Sequence, residues 1–439
     1  MEPQLSAKEE VKRTIDIVEL VGQFVQLKRA GQNYLGLCPF HVEKEPSFTV
    51  SSSKQIFHCF GCRKGGDAIA FWMEYHKVSF PEALRDLAER YHVPLPSGPP
   101  GTPDRGAWAE RGSLLKLNEW ACSHFHEILA KSPKGAQARE YLARRGITGK
   151  VVSLFRLGYA PDEWDGLTRV LKSQDLEQAA KVGLVIPRRN GGFYDRFRGR
   201  IMYPIFDARA RVLGFGGRVL DDSSPKYLNT PESMLFHKGR VLYGLHASLE
   251  AIRQGGRAVI VEGYMDLLAL RRHGFEAVVA TLGTALTREH VRLLKGYANE
   301  AVVVFDSDGA GKSAALRSLA CFLEEGLAPK VLLLPENEDP DSFVNRRGLP
   351  AFLELLEHIE PLFDFYIDQR FSQAGNSIEG RVSVLKEVLP LLRELGNAAQ
   401  RSFYVRRLAE KLGVHESSVL EEMQKGISHR ALPGDESGL

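Results

Sequence analysis

Cys38-Pro-Phe-His41 is followed, after 17 intervening residues, by Cys59-Phe-Gly-Cys62. Two short knuckles of this kind bring three thiolates and one imidazole within tetrahedral reach, a donor set that suits Zn²⁺. All four ligands belong to the chain, so no coordination position stays open and the ion is structural. His58 is the competing histidine, but strand alternation sends its side chain to the face opposite Cys59. Cys122 and Cys321 lie in apolar helical patterns and read as packing residues. Five cysteines in 439 residues exclude a disulfide scaffold. Around the knuckles stand Phe40, Phe48, Phe57 and Phe60 with Lys54, Arg63 and Lys64. Aromatics interleaved with cations can stack bases and meet phosphates. They can equally form the minimal core of a small zinc fold, and both readings stand at this point.

A fold bound to one ion near residue 40 accounts for only a small part of the chain. Residues 93–112, "VPLPSGPPGTPDRGAWAERG", are dense in Pro and Gly and read as a linker in which neither helix nor strand persists. The expected division is a zinc-ribbon domain over 1–95, a linker over 96–112, a basic mixed α+β part over 113–256, a parallel α/β part over 257–345, a helical part over 346–428, and a disordered tail over 429–439. The fold class is therefore α+β with an α/β core. Residues 183–220 alternate and are rich in glycine, which predicts short antiparallel strands. From Arg257 onward, "RAVIVEG", "AVVA", "AVVVFD" and "KVLLLP" are apolar strands separated by helical stretches, the pattern of a parallel sheet. Charge is uneven. Lys181 to Arg257 holds 14 Lys/Arg against 6 Asp/Glu, an excess of +8 in a chain whose net charge is only +3. A basic block beside an acidic one suits a polyanion track next to a metal site. No apolar run reaches the length of a membrane span, and the N-terminus lacks a secretory h-region, so a cytoplasmic protein is expected.

"FDSDGAGKSA", Phe305 to Ala314, looks at first like a phosphate-binding loop. The first glycine of that pattern would fall at Asp306, where a carboxylate would repel phosphate. The stretch is an acidic site instead. Glu262 follows one apolar strand, and Asp306 and Asp308 follow another. Ligands of parallel α/β sheets gather at the carboxyl ends of strands, so these three acids should converge. Asp266 comes one helical turn after Glu262, and Asp339 and Asp341 repeat the two-residue spacing after the fourth strand. Carboxylates so crowded need divalent cations, and hard oxygen donors select Mg²⁺ or Mn²⁺. Lys312 and Ser313 are expected to begin the next helix.

These residues carry a family resemblance. "EGYMD", Glu262 to Asp266, with "DSD", Asp306 to Asp308, resembles the TOPRIM domain of primases, topoisomerases and some nucleases. "NYLGLCPFHVEKEPSFTVSSSKQIFHCFGCRKGGDAIAF" resembles the zinc-binding domain of bacterial DnaG-type DNA primases, and "YDRFRGRIMYPIFD", "GFGGRVL", "PKYLNTPES" and "FHKGRVLYGL" resemble their RNA polymerase domain. Gly309 and Ser313 stand where that family usually has other residues. The resemblance implies synthesis of RNA primers from ribonucleoside triphosphates on single-stranded DNA, with a nascent RNA primer as product. It implies Glu262, Asp306 and Asp308 as the core of a magnesium site, with Asp266, Asp339 and Asp341 supporting it. It also implies Arg145, Arg196, Arg198, Arg218, Lys226 and Lys238 as contacts to template or nucleotide phosphates. The family normally continues into a helicase-interaction domain. After Gln424 only a short polar stretch follows, so the replicative helicase's usual docking domain is expected to be missing and helicase to add little. A topoisomerase would need a tyrosine-bearing gate domain, a TOPRIM nuclease an accompanying ATPase, and a non-catalytic zinc-ribbon protein no clustered acids.

Overall fold

The computed structural model describes residues 7–93, 104–147, 149–305, 309–335 and 338–428. The chain forms two units, Met1–Gly256 with Gly296–Ala298, and Arg257–Lys295 with Asn299–Leu439.

In the first unit, strands Lys28–Ala30, Asn33–Gly36, Phe48–Ser51, Ile56–Cys59 and Gly65–Gly66 make one antiparallel sheet in chain order. Alternation puts Phe48, Val50, Phe57 and Cys59 on its buried face and His58 on the exposed one, as the period of two requires. Phe40, Phe48, Phe57 and Phe71 meet with ring centroids 5.4–6.3 Å apart. Three of the four knuckle phenylalanines are therefore core, whereas Phe60 is 71% exposed beside His58. Helices Ala68–His76 and Phe80–Arg90 cover the buried face; Asp67 starts the first by accepting the Ala70 N–H at 2.9 Å.

The small sheet is fastened to the rest of its unit by charge. Asp86 accepts from the Trp72 indole at 3.1 Å and pairs with Arg209 and, at 3.4 Å, with Arg211. Arg253 lies 3.8 Å over the Tyr75 ring and donates to the Tyr75 carbonyl. Burial, reinforced by Arg209 and Arg253, pushes the His76 pKa down to about 3 and keeps that ring neutral.

The linker expectation fails over 104–112, because the helix Asp104–Lys131 already runs through these residues. Gly106 and Gly112 each cost about 1 kcal/mol in a helix. Burial of Leu114, Leu117, Ala121 and Phe125 further along the same helix outweighs that cost. Residues 94–103 lie outside the described ones. The helix packs on a four-stranded antiparallel sheet ordered Tyr227–Asn229, Val212–Val219, Arg200–Phe206, Gly158–Ala160. The two central strands are buried at every position. A short hairpin, Val185–Pro187 with Phe193–Asp195, lies beside it. Buried Asp195 accepts the N–H groups of Leu167 and Thr168 at 2.6 and 2.9 Å and so pins the loop before the hairpin.

The second unit holds a parallel sheet ordered Val278–Ala280, Arg257–Val261, Glu300–Phe305, Ala328–Leu333, with Glu360–Pro361 added antiparallel at one edge. Its apolar strands are what a sheet buried on both faces demands. Helix Gly309–Glu325 contains Lys312 and Ser313 in its first turn, as expected. Helices Pro340–Glu357, Leu362–Ala374, Ile378–Glu394, Ala398–Leu412 and Glu416–Ser428 follow, the first broken at Gly348 by a φ of 78°. Among the described residues no helix is long and apolar enough to cross a membrane. The expected tail over 429–439 lies outside the described residues.

Two glycines test the packing in opposite directions. A Cβ on Gly158 would meet Phe125 Cβ at 2.6 Å, and one on Gly112 would meet nothing within 4 Å. Gly158→Ala should cost about 1–3 kcal/mol through overpacking. Gly112→Ala should gain up to about 1 kcal/mol of helix propensity. Urea midpoints moving down and up respectively check both.

Candidate functional site

The strand alternation that buries Cys59 also brings four ligand atoms together. Those of Cys38, His41, Cys59 and Cys62 all lie within 4.8 Å of one another, the one such group among the described residues. The Cys38 and Cys62 sulfurs are 3.8 Å apart, and Cys59 Sγ lies 3.8 Å from His41 Nδ1. A tetrahedron with metal–sulfur arms of about 2.3 Å has edges of about 3.8 Å, which both of these separations match, so the set fits Zn²⁺. Backbone N–H groups of Phe40 and Cys62 point at the sulfurs of Cys38 and Cys59, each at 3.4 Å, and favour thiolate there. Burial pushes the Cys38 thiol up. At Cys59 burial is outweighed by hydrogen bonds, first from Ser47, and that thiol goes down.

A fifth residue escaped the sequence reading. Glu43 lies 3.1 Å from His41 Nε2 and accepts the backbone N–H groups of Cys38 at 2.7 Å and Ser47 at 3.1 Å. Burial opposes its charge, but Ser47 and these N–H groups hold its carboxyl below the usual range. With Nε2 facing a carboxylate, Nδ1 is left for the metal, the arrangement that fixes a ligating imidazole's tautomer. A glutamate two positions beyond the first knuckle was the only available signal.

The acidic residues of the second unit are only partly in view. Asp306 and Asp308 lie outside the described residues. Glu262 stands exposed at the carboxyl end of strand Arg257–Val261, its carbonyl 3.3 Å from the Thr281 hydroxyl at the end of the neighbouring strand. Asp266 accepts the Gly263 N–H at 2.9 Å, and Asp339 accepts the Ser342 N–H at 2.7 Å, so each also caps the helix it opens. Asp341 is buried and accepts from the Asn345 side chain at 2.7 Å. Of the four in view, Glu262 stands at a strand end, Asp266 and Asp341 lie in the first turns of helices and Asp339 caps one; all are carboxylates, the donor type that a hard divalent cation takes.

Of the basic residues in the first unit, Arg218 is the most unusual. It is 6% exposed, its guanidinium lies 5.0 Å from Tyr141 and 5.5 Å from Tyr227, and Nε and Nη1 have no hydrogen-bond partner. Arg145 approaches the same Tyr141 at 5.8 Å, and Lys226 is exposed next to Tyr227. Arg198 sits 4.1 Å over Trp164, which is 59% exposed. Arg196 is half-buried with Nε unpartnered, and desolvation lowers its pKa. Lys238 begins a short 3₁₀ turn, its N–H donating to Glu232 at 2.9 Å. Arg200 was missed: it donates to the carbonyls of Gly217, Pro225 and Lys226 and shapes the loop that presents Lys226.

Two substitutions separate ligand from support at the cysteine site. Cys59→Ser should abolish zinc retention and leave the first ~90 residues open to protease, since structural zinc contributes folding energy. Glu43→Gln should keep the four ligands but lower zinc affinity by about 10–100-fold. Competition with a chromophoric chelator measures both.

Four family models match in order: the CHC2 zinc finger at 4–99, the N-terminal domain of the DNA primase catalytic core at 124–249, a Toprim-like domain at 259–344, and the DnaB-helicase binding domain of primase at 363–417. The last overturns the expectation of a missing helicase module. Its helices had been assigned to a plain helical subdomain, because amphipathic patterns alone do not distinguish the two. A DNA primase of Halalkalibacterium halodurans is 37% identical over 424 residues, 95% of this chain and 70% of its own. The zinc-binding and RNA polymerase domains of Aquifex aeolicus primase superpose with a TM-score of 0.63 at 35% identity, covering 95% of this chain and all of that one. A DnaG primase catalytic domain bound to ssDNA gives 0.65 at 35% identity, covering 71% of this chain and 99% of that one. With that identity held along nearly its whole length, this chain belongs to the DnaG-type family of bacterial DNA primases.

Proposed function

We propose that the buried cation at Arg218 and the acidic strand ends divide the work of primer synthesis between them. The chain is a DNA primase, a nucleotidyltransferase that makes RNA primers on a DNA template. The observation that carries the division of labour is Arg218, a charge taken out of water with two nitrogens unpaired. Such a group is costly until an anion arrives. A phosphate of the template or of a nucleotide supplies that anion, and Tyr141 and Tyr227 flank the planar guanidinium and fix where it meets the phosphate. Arg145 and Lys226 extend this contact. Arg196, Arg198 and Lys238 serve the same strand, with Trp164 offering a face on which a base can stack. Single-stranded DNA is accordingly the template, as for the relative solved with ssDNA.

At the other end of the chemistry, Glu262, Asp306 and Asp308 are the proposed core carboxylates, supported by Asp266, Asp339 and Asp341. Divalent cations held there would favour the 3′-alkoxide and offset the charge of the incoming triphosphate. The 3′-hydroxyl of one ribonucleotide attacks the α-phosphate of the next, the new phosphodiester forms, and pyrophosphate leaves. Glu262, exposed at a strand end, is the proposed acceptor of the hydroxyl proton. The helicase partner is proposed to meet 363–417. There a groove of about 580 Å³ is lined by Ile378, Val382, Leu385, Val414 and Val419, with Ile378 76% exposed. A replicative role of this kind places the enzyme with the bacterial chromosome in the cytoplasm.

Three outcomes test these assignments. Glu262→Ala and Asp308→Ala should abolish primer synthesis while single-stranded DNA binding persists; wild-type turnover in Mg²⁺ would remove them from the site. Arg218→Met keeps a stem between the two tyrosines but should weaken strand binding and reduce the log–log salt slope by about 0.7, one phosphate contact. Finally, replicative helicase should stimulate priming, and Val382→Glu should lose that stimulation with basal synthesis unchanged.

A further inference from the structure

Three consecutive residues on helix Pro340–Glu357 reach back to the acidic stretch that precedes and opens it. Asn345 Nδ2 donates to Asp341 Oδ1 at 2.7 Å. Arg346 and Arg347 bind Glu338 Oε1 at 2.8 and 3.5 Å. Glu338 is 3% exposed and Asp341 7%, so two carboxylates four positions or fewer apart are both withdrawn from water. Glu338 Oε2 has no hydrogen-bond partner, which leaves the two arginines as the compensation for a buried charge.

The orientation of the Asn345 amide is set from outside the helix. Arg272 Nη2 lies 2.7 Å from Asn345 Oδ1, and His273 Nε2 lies 3.2 Å from the same oxygen. An arginine can only donate, so the atom it meets is the amide oxygen, and the amide nitrogen must face Asp341. Arg272 and His273 end the helix that begins just after Glu262 and contains Asp266. Asn345 thereby ties the helix of the first acidic strand end to the acidic residues after the fourth. In the first helical turn the backbone dipole favours the Asp341 charge as well.

We propose that Asn345 and Glu338 are positioning residues that hold Asp339 and Asp341 in place to receive a divalent cation. The proposal rests on the reading of Asp341 as a cation ligand. Glu338 anchors the stretch from the interior through Arg346 and Arg347, and Asn345 fixes one oxygen of Asp341. Together they meet the cost of holding these carboxylates close before the ion arrives.

The test uses the full zinc-loaded chain, with Asp341→Asn, Asn345→Leu, Glu338→Gln and Arg272→Gln compared with the unaltered protein. Mn²⁺ binding is followed without nucleotide by loss of the free-ion electron paramagnetic resonance signal, and primer synthesis is titrated with Mg²⁺. Asn345→Leu and Glu338→Gln should weaken Mn²⁺ binding by about tenfold or more, the usual effect of removing a ligand's support. The half-saturating Mg²⁺ concentration should rise in parallel, with the maximal rate recovered at high Mg²⁺. Arg272→Gln should shift both in the same direction by less. Because Asn345 and Arg272 are not core residues, these two variants keep the test valid if Glu338→Gln fails to fold. A shift for Asp341→Asn with none for Asn345→Leu or Arg272→Gln overturns the positioning role. So does a lower maximal rate at every Mg²⁺ concentration with unchanged Mn²⁺ binding. No shift for Asp341→Asn would remove the cation reading of this stretch and the proposal with it.

Discussion

Charge withdrawn from water must be compensated, and this protein is organised around the places where that requirement is met and the few where it is not. Asp86 is the clearest met case. Its carboxylate is 14% exposed and faces Arg209, Arg211 and the Trp72 indole, so it joins the small zinc-type sheet to the larger body of its unit. Removing one partner from a buried pair of this kind costs about 3–5 kcal/mol, because the other charge remains inside. Asp195 solves the same problem with two backbone N–H groups and the Thr168 hydroxyl. The zinc site solves it with a metal, since three thiolates could not be held beside a histidine within 4.8 Å of one another without one.

Against that background, two of the unmet cases are where function is proposed. Arg218 is buried between two tyrosines with nitrogens that bind nothing. Aromatic faces lower the cost of a buried guanidinium by about 2 kcal/mol, but they leave its N–H groups without an acceptor. An enzyme whose substrates are polyanions can leave such a cation unpaired, because its ligand completes it. The acidic strand ends are the mirror image: Asp266 and Asp339 are half satisfied as helix caps, which gives them a fixed geometry before any ion binds. In the proposed reading the same residue serves local structure and chemistry, and neither role excludes the other.

Much of this was legible from the sequence, and the reasons are local. The knuckle spacing needs only two turns and a strand pair, so Cys38, His41, Cys59 and Cys62 could be named without a structure. Strands such as "AVVVF" are apolar throughout because a parallel sheet is covered on both faces, and that pattern survives any detail of packing. The misreadings came where two structures share one local pattern. Pro and Gly density suggested a loop through 104–112, yet the helix Asp104–Lys131 starts there because its later turns bury Leu114 and Phe125. The helices over 363–417 read as a plain helical subdomain, although they match a helicase-binding domain.

The donor sets were readable from residue type and spacing: which residues can bind zinc, which carboxylates are candidates for a hard cation, and where positive charge is concentrated. Chemistry of that kind is carried by residue type and short spacing. Which of those groups are supported, and by what, depends on how the folded chain brings distant residues together. Glu43 reaches His41 through a turn, Arg200 shapes the Lys226 loop from the neighbouring strand, and Asn345 links Asp341 to Arg272, which lies 73 positions before Asn345. Such partners are distant in sequence or generic in type. Their roles arise from burial and direction, which residue identity does not encode on its own.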